Sequence, residues 1–413
     1  MNIAVIGKGA REDAIAQKLL NEGNKVYLIN ESNIKNNNVN IKVDDFFKIK
    51  EFCNHKNIEL IIVGPEDLLV KGITDYFNNT NIKVFGPKQD YTFLESSKIK
   101  AKYFMKKNEV QTAPYIAFEK FEENKIKQII NEKKGNLVLK YDGLAAGKGV
   151  LISNNIKDAL NNLEVLKTKY GKNLKLIIED RLIGSELSIM SITDGKNIKI
   201  FQASQDYKLS HNFNKGLNTG GMGAITPVDF ITDNILSEIK KKIIMPTING
   251  FKKENIHYLG FLYFGIILTK EGPFLLEYNI RLGDPETQVL LPAMKTNLTN
   301  LINLTLDKNL DKIEEIEFNS QYYMSLVLAS KGYPLDYATN KIIKINKKDL
   351  NCNIFYAGVK KDENNNLLTN GGRVLNIVSS DNNLERLKNT VYKCAENIDF
   401  ETKYYRDDIG TIY

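Results

Sequence analysis

Four stretches of this 413-residue chain hold residue types and spacings that could do chemistry. In VLKYDGLAAGKGV (138–150), a lysine ends one β-type run and small residues fill the loop before the next. With no Cβ in the way, backbone N–H groups of such a loop can close over polyphosphate oxygens. Lys140 would add fixed positive charge from the strand, and Lys148 from the loop. The stretch is not a G-x-x-x-x-G-K-[ST] loop, because a strand and not a helix follows it. A plain hairpin with a glycine turn would read the same way.

The second stretch, FLLEYNIRLGDPETQ (274–288), sets Glu277 and Asn279 two apart on a strand, hence on one face. A carboxylate beside an amide oxygen suits Mg²⁺, which takes a few hard oxygens and leaves other positions to water and phosphate. Arg281 continues that face with a guanidinium able to grip phosphate or carboxylate. Strict alternation also puts Leu275 there. A solvated edge strand would explain Glu277 alone, but not three such groups at i, i+2 and i+4.

The third signal is SQDYK (204–208) followed by NTGGMG (218–223), an anion-receptive backbone with side-chain donors. Many loops share such glycine turns. The fourth, GKGARE (7–12), falls short of G-x-G-x-x-G because Glu12 stands where glycine is needed, which argues against a dinucleotide site. A helix N-terminus with Arg11 still suits a phosphate monoester. His55, His211 and His257 show no metal-ligand spacing, and no G-x-S-x-G or Cys/His pairing suggests a protein nucleophile.

Elements must position these groups. Asn2–Ile6, Lys25–Ile29, Leu60–Val63 and Lys83–Phe85 read as strands alternating with helical segments, which predicts a parallel sheet with its ligand at the carboxyl ends of the strands. Ser97–Asn108 reads as a lysine-rich helix. Strands are expected at 137–140, 150–152, 176–179, 188–192, 199–201, 259–268 and 274–278, mostly antiparallel, with helix over about 233–252. Strands at 322–328, 354–359 and 373–378 and a helix at about 383–396 predict a small α+β cap. No period of 20–50 residues repeats, which excludes a solenoid.

Composition narrows the class. Hydrophobic residues are 42% and charged residues 26%, ordinary for a globular protein and enough for two to four domains. The net charge of +7 is spread thinly, without the basic stripe and interleaved aromatics of a nucleic-acid groove. Three scattered cysteines without CxxC point to a reducing, cytosolic compartment. No leader-like start and no apolar run near the ~18 residues of a membrane span is visible.

Taken in order, IGKGARE (6–12), VGPE (63–66), FGPK (85–88), KYDGLAAGKGV (140–150), SQDYK (204–208), NTGGMGA (218–224), GFLYFG (260–265), EYNIRLGDPETQ (277–288), GGRVLNI (371–377) and YYRDDIG (404–410) resemble the phosphoribosylamine–glycine ligase (glycinamide ribonucleotide synthetase) family of the ATP-grasp superfamily. The resemblance implies α/β and α+β architecture: a Rossmann-like N-terminal domain (1–97), an ATP-grasp body (98–317, with a nucleotide lid at about 113–186) and a C-terminal α+β domain (318–413). It implies ligation of glycine to 5-phosphoribosylamine with ATP and Mg²⁺ (or Mn²⁺), through glycyl phosphate, in de novo purine biosynthesis. The expected enzyme is a cytoplasmic monomer with no nucleic-acid or membrane partner.

Residue by residue, the resemblance gives catalytic roles to Lys140 and Arg281. ATP would meet Lys98, Lys140, Gly143, Ala145, Ala146, Gly147, Gly149, Glu179, Asp180, Leu182, Glu186 and Lys208. The acceptor substrates would meet Gly9, Arg11, Glu12, Glu66, Asp206, Thr219, Gly220, Arg281 and Asp284, and the metal Glu277 and Asn279. Loops 143–149 and 218–223 are expected to act as lids. The family usually has histidine after the Arg-Glu pair, where this chain has Asp13, and an aromatic after Arg281, where it has Leu282. Two other readings stay open: an ATP-grasp ligase or carboxylase with a different acceptor, and a nucleotide-binding regulator without catalysis. The first lacks a visible biotin-carrier lysine motif, and the second would be expected to lose Glu277, Asn279 or Lys140.

Overall fold

The computed structural model describes every residue except 33, 36, 146–148, 172, 347–349 and 412–413. Strands β1 (Asn2–Ile6), β2 (Lys25–Ile29), β3 (Asn38–Val39), β4 (Leu60–Val63) and β5 (Lys83–Phe85) form a parallel sheet in the order β3-β2-β1-β4-β5. The buried runs IAVI and LIIV explain why β1 and β4 take the centre, since a parallel strand is covered on both faces. The chain reverses direction across the sheet between β1 and β4. The loops after these two strands, Gly7–Gly9 and Gly64–Glu66, therefore flank a crevice of the kind that binds ligands.

Strands β6 (Tyr115–Phe118), β7 (Leu137–Tyr141), β8 (Val150–Ser153) and β9 (Leu176–Asp180) make an antiparallel sheet in the order β6-β9-β7-β8. Helices Glu123–Glu132 and Ile156–Tyr170 cover it, and Ile126, Leu139, Leu163 and Ile178 close a core of its own. A second antiparallel sheet, β11-β10-β16-β17, comprises β10 (Ser185–Thr193), β11 (Ile198–Ile200), β16 (Gly260–Thr269) and β17 (Gly272–Asn279). Its core is continuous with that of the first sheet: Ile61 and Phe104 lie in one cluster with Phe264, Leu275 and Tyr278. Lys140 lies on the first of these antiparallel sheets and Glu277 and Asn279 on the second.

Strands β12 (Gln205–Asp206), β13 (Leu209–His211), β14 (Lys215–Asn218) and β15 (Gly223–Thr226) lie between β11 and β16 in sequence. β12 and β15 add to the C-terminal strands β18 (Tyr322–Ser330), β20 (Asn353–Tyr356) and β23 (Arg373–Asp381), in the order β12-β15-β18-β23-β20. Among the described residues five short strands, β19 (Lys344–Ile345), β21 (Val359–Lys361), β22 (Leu367–Thr369), β24 (Ile398–Asp399) and β25 (Lys403–Tyr404), complete that region, and β25 pairs with β18. Helix Leu384–Glu396 packs on this sheet through Leu387, Val391 and Cys394. The expected strand over 354–359 is interrupted at Ala357–Gly358, where the backbone of Gly371 approaches so closely that a side chain on Gly358 would collide with it. No described helix is long and apolar enough to cross a membrane.

Candidate active site

The metal-type pair owes its geometry to a β-bulge. β16 and β17 pair from Thr269↔Gly272 to Ile266↔Leu275, and the register then jumps to Gly265↔Glu277, leaving Leu276 as the extra residue. A bulge resets which side chains share a face. Leu275 and Tyr278 are both buried in the core, whereas Glu277 and Asn279 are half-buried and two apart beyond the bulge. Strict alternation, which sets Leu275 beside Glu277, is thus corrected. The face around Glu277 is polar because the strand slips by one residue.

Around this pair gather the lysines. Lys140, buried at the end of β7, lies 2.9 Å from Glu179 Oε2 and donates to the carbonyl of Leu276 at 3.1 Å. Lys98, in the first turn of helix Lys98–Lys107, donates to Gly143 O at 3.0 Å. The Ser97 hydroxyl caps that helix, and Asp142 accepts from Ser97 Oγ and Ile99 N, so the helix start and the loop start are tied together. Lys208 lies 3.3 Å from Glu186 Oε2. Burial works to raise the Glu277 carboxyl, yet Lys208, Lys140, Lys98 and Arg281 outweigh it and hold it below the ordinary range. Lys208 is shifted the opposite way: burial works against its charge, but Glu186, Tyr263, Glu277 and Asp206 keep it well above the usual lysine value.

The glycine loop shows why small residues stand in it. Gly143 has φ of +154°, and a side chain there would meet the Tyr141 ring at 2.6 Å; one at Gly149 would meet Ala145 Cβ at the same distance. Ala146, Gly147 and Lys148 lie outside the described residues. At the end of β9, Asp180 pairs with Lys133 and donates its N–H to Pro114 O at 3.0 Å, and Leu182, just beyond the strand, is half-buried.

A second cluster adjoins the first. Arg281 lies just beyond β17, with Nε 3.1 Å from Glu66 Oε2 and Nη2 3.2 Å from Glu95 Oε1. Burial works to raise Glu66, but Arg281 and Arg11 hold it down at about 2. Burial pushes Glu95 up to about 7 in spite of Arg281. Glu12 is buried against Gly7 and Gly64, accepting from Gly9 N at 2.7 Å and Arg11 Nε at 2.6 Å. The Arg11 guanidinium also donates to Leu282 O at 3.2 Å, so it points into the protein. A cavity of about 150 Å³ opens beside Gly9, lined among others by Lys8, Asn30, Lys35, Tyr356 and Lys360. Asp13, at the usual histidine position, pairs with Lys35 and accepts from Tyr356 N at 2.9 Å.

The turn 218–223 closes the same region. Thr219 N donates to Lys208 O, Met222 N to Tyr207 O and Gly220 N to Tyr333 Oη, while Thr219, Gly221 and Met222 are buried. The turn expected to act as a lid is thus bonded on both sides, to Tyr207 and Lys208 and to Tyr333. Gly221 packs against Pro285 and Asp206, and the Asp206 carboxyl is raised well above its usual range by burial and by Glu286. Asp284 lies across from Gly9 and takes Arg373 Nη2 at 2.9 Å and Gln288 Nε2 at 2.6 Å.

Sequence reasoning missed Lys102, Glu95, Glu286 and Arg373. Lys102 follows Lys98 by one helical turn, which is a readable signal. Glu286 stands inside the GDPETQ motif and accepts from Ser188 Oγ at 2.9 Å. Arg373 stands inside GGRVLNI.

A lysine-bearing antiparallel sheet facing a second sheet that carries a carboxylate–amide pair, joined to a Rossmann-like domain, defines the ATP-grasp class. Models of the phosphoribosylglycinamide synthetase N domain, ATP-grasp (A) domain and C domain match residues 1–95, 96–287 and 323–412. The chain is 40% identical to a phosphoribosylamine–glycine ligase of Fusobacterium nucleatum over 100% of its length and 99% of the relative's. It is 41% identical to one of Clostridium acetobutylicum over 99% of both. A crystal structure of phosphoribosylamine–glycine ligase from Thermotoga maritima superposes with a TM-score of 0.86 at 31% identity, covering 99% of this chain and 100% of that one. This chain belongs to the phosphoribosylglycinamide synthetase family.

Proposed function

We propose that the chain joins glycine to 5-phosphoribosylamine with ATP, giving glycinamide ribonucleotide, ADP and phosphate, as a cytoplasmic, monomeric enzyme of de novo purine biosynthesis. The observation that carries this reading is the convergence of Lys98, Lys140 and Lys208 on Glu277. Lys140 and the 143–149 loop would hold the phosphates, the hinge at Glu179, Asp180 and Leu182 the base, and Glu186 the ribose. Glycine and phosphoribosylamine would lie between Gly9, Glu12, Glu66, Asp206, the Thr219–Gly220 turn, Arg281 and Asp284. The domain divisions we favour fall near 97 and 317, with a lid at about 113–186.

Glu277 and Asn279 fit a hard divalent cation, because they offer one anionic and one neutral oxygen from one face. The four surrounding cations favour a metal that arrives with a polyanion. Bound there, Mg²⁺ or Mn²⁺ would neutralise charge on the transferring phosphoryl group. Among the described residues no group of three or more His, Cys, Asp or Glu forms a rival metal site.

A free carboxylate is a poor acyl donor because its leaving group would be oxide. Transfer of the γ-phosphoryl group to the glycine carboxylate gives glycyl phosphate, and the amine of phosphoribosylamine then displaces phosphate. No protein nucleophile is needed; the residues orient the reactants, offset charge and exclude water. ADP release measured with each substrate omitted in turn tests the proposal. The expected result is release only when glycine and phosphoribosylamine are both present; release indifferent to either one overturns it.

A further inference from the structure

Lys102 lies on helix Lys98–Lys107 one turn beyond Lys98, so both side chains leave the same face. Lys98 reaches the glycine loop, whereas Lys102 runs inward and is 2% exposed. Its Nζ lies 3.1 Å from Glu179 Oε1 and donates to Thr112 Oγ1 at 2.6 Å. The other oxygen of the same carboxylate is 2.9 Å from Lys140 Nζ. Thr112 in turn donates to Leu275 O at 2.6 Å, while Lys140 donates to Leu276 O at 3.1 Å. Leu275 and Leu276 are the bulge residues that set the direction of Glu277. A closed polar ring therefore joins the nucleotide sheet to the metal-type strand.

Charge within this ring needs explaining. A lone Lys140–Glu179 pair would be neutral, and its ammonium would offer little to a polyphosphate. Two lysines on one carboxylate leave a net positive charge. A buried charge also demands a partner, and Glu179 partners both ammonium groups. We infer that Lys102 is a positioning residue for nucleotide binding, sharing Glu179 so that Lys140 keeps positive charge for the phosphates. The inference rests on the ATP-dependent reading above.

Lys102 also has a signature that a merely structural lysine lacks. Burial pushes its ammonium down to about 8, Lys140 adds to that effect, and Glu179 and Glu277 oppose it. The Tyr115 ring lies 5.7 Å from its Nζ and completes the surroundings. Below that pH Lys102 is charged and shares Glu179. Above it Lys102 is neutral, and Glu179 draws on Lys140 alone.

Isothermal titration of the full chain with MgATP, from about pH 7 to about 9.5, tests this on the wild type, K102M and K102R. Wild-type affinity is expected to fall several-fold as pH rises through about 8. K102M should bind about tenfold more weakly at neutral pH, as the loss of one nearby charge implies, and show no step. K102R should restore neutral-pH affinity, also without the step, because guanidinium stays charged throughout. Wild-type affinity with an unchanged step in K102M overturns the inference. So does a step retained in K102R or missing from the wild type, and those two results decide the matter if K102M fails to fold. Because nucleotide binding is read and product is not, the glycine-ligation reading can fail its own ADP-release test while these titrations still decide the role of Lys102.

Discussion

Glu277 faces Lys208, Lys140, Lys98 and Arg281, and these cations hold its carboxyl ionised against the effect of burial. Replacing it by Gln keeps size and hydrogen bonding but removes the anionic oxygen that a hard divalent cation prefers. A metal held there would act mainly on charge that develops during phosphoryl transfer, so the larger loss in E277Q should fall on kcat, roughly 10²-fold or more. Nucleotide should still bind through Lys140, with a modest fall in affinity and a rightward shift in Mg²⁺ dependence. Steady-state rates across a Mg²⁺ titration check this, and an unshifted dependence with normal kcat would move the metal elsewhere. The shared face of Glu277 and Asn279 was legible in the sequence because their spacing is local. Glu95 was not, because Arg281 reaches it only through the fold, and the one-turn spacing of Lys98 and Lys102 does not tell that Lys102 meets Glu179. Arg11 shows the same limit: its place at a helix start suggests phosphate, but its guanidinium goes to Glu12 and to Leu282, 271 residues away.

Elements convert these residues into a site, and their regular parts were readable while their irregular parts were not. The strands β1, β4 and β5 and the helix capped by Ser97 follow from apolar runs and a capping side chain, both properties of neighbours in sequence. The bulge at Leu276 leaves no such mark, since a one-residue slip depends on the partner strand β16. The glycines of IGKGARE and VGPE invite a reading as phosphate cradles, yet Gly7 and Gly64 make room for Glu12. A Cβ on Gly64 would lie 1.9 Å from Glu12 Oε1. Glu12 is buried and held by Gly9 N and Arg11, so it cannot move without losing those bonds. G64A should therefore cost about 1–3 kcal/mol of stability and raise KM for phosphoribosylamine, with ATP affinity unchanged. Thermal unfolding with the two KM values checks it; wild-type stability and KM would show that Glu12 has another place to go.

At the scale of the molecule, the C-terminal sheet is part of the site's wall. β12 and β15 pair into it, and Arg373 at the start of β23 reaches back to the loop that follows the metal-type pair. One guanidinium donates to Gly220 O and to Asp284 O while its Nη2 lies 2.9 Å from the Asp284 carboxylate. It thus fixes the 218–223 turn against the loop that faces Gly9. The three-part plan was legible from motif order, but this contact was not, because GGRVLNI carries no sign of which loops its arginine meets. R373A should leave the Asp284 carboxylate with Gln288 as a remaining donor and let the turn shift. The expected outcome is a rise of about tenfold or more in KM for glycine or phosphoribosylamine, with MgATP affinity within about twofold of wild type, since Lys140, Lys98 and Glu277 are untouched. R373K should rescue only in part, because an ammonium cannot reproduce a planar fork that serves two carbonyls and a carboxylate at once. Calorimetric ATP binding beside substrate titrations separates the cases. A variant that loses ATP affinity in step with acceptor affinity would mean that Arg373 supports the whole body, and one that loses neither would remove the C-terminal domain from the acceptor site.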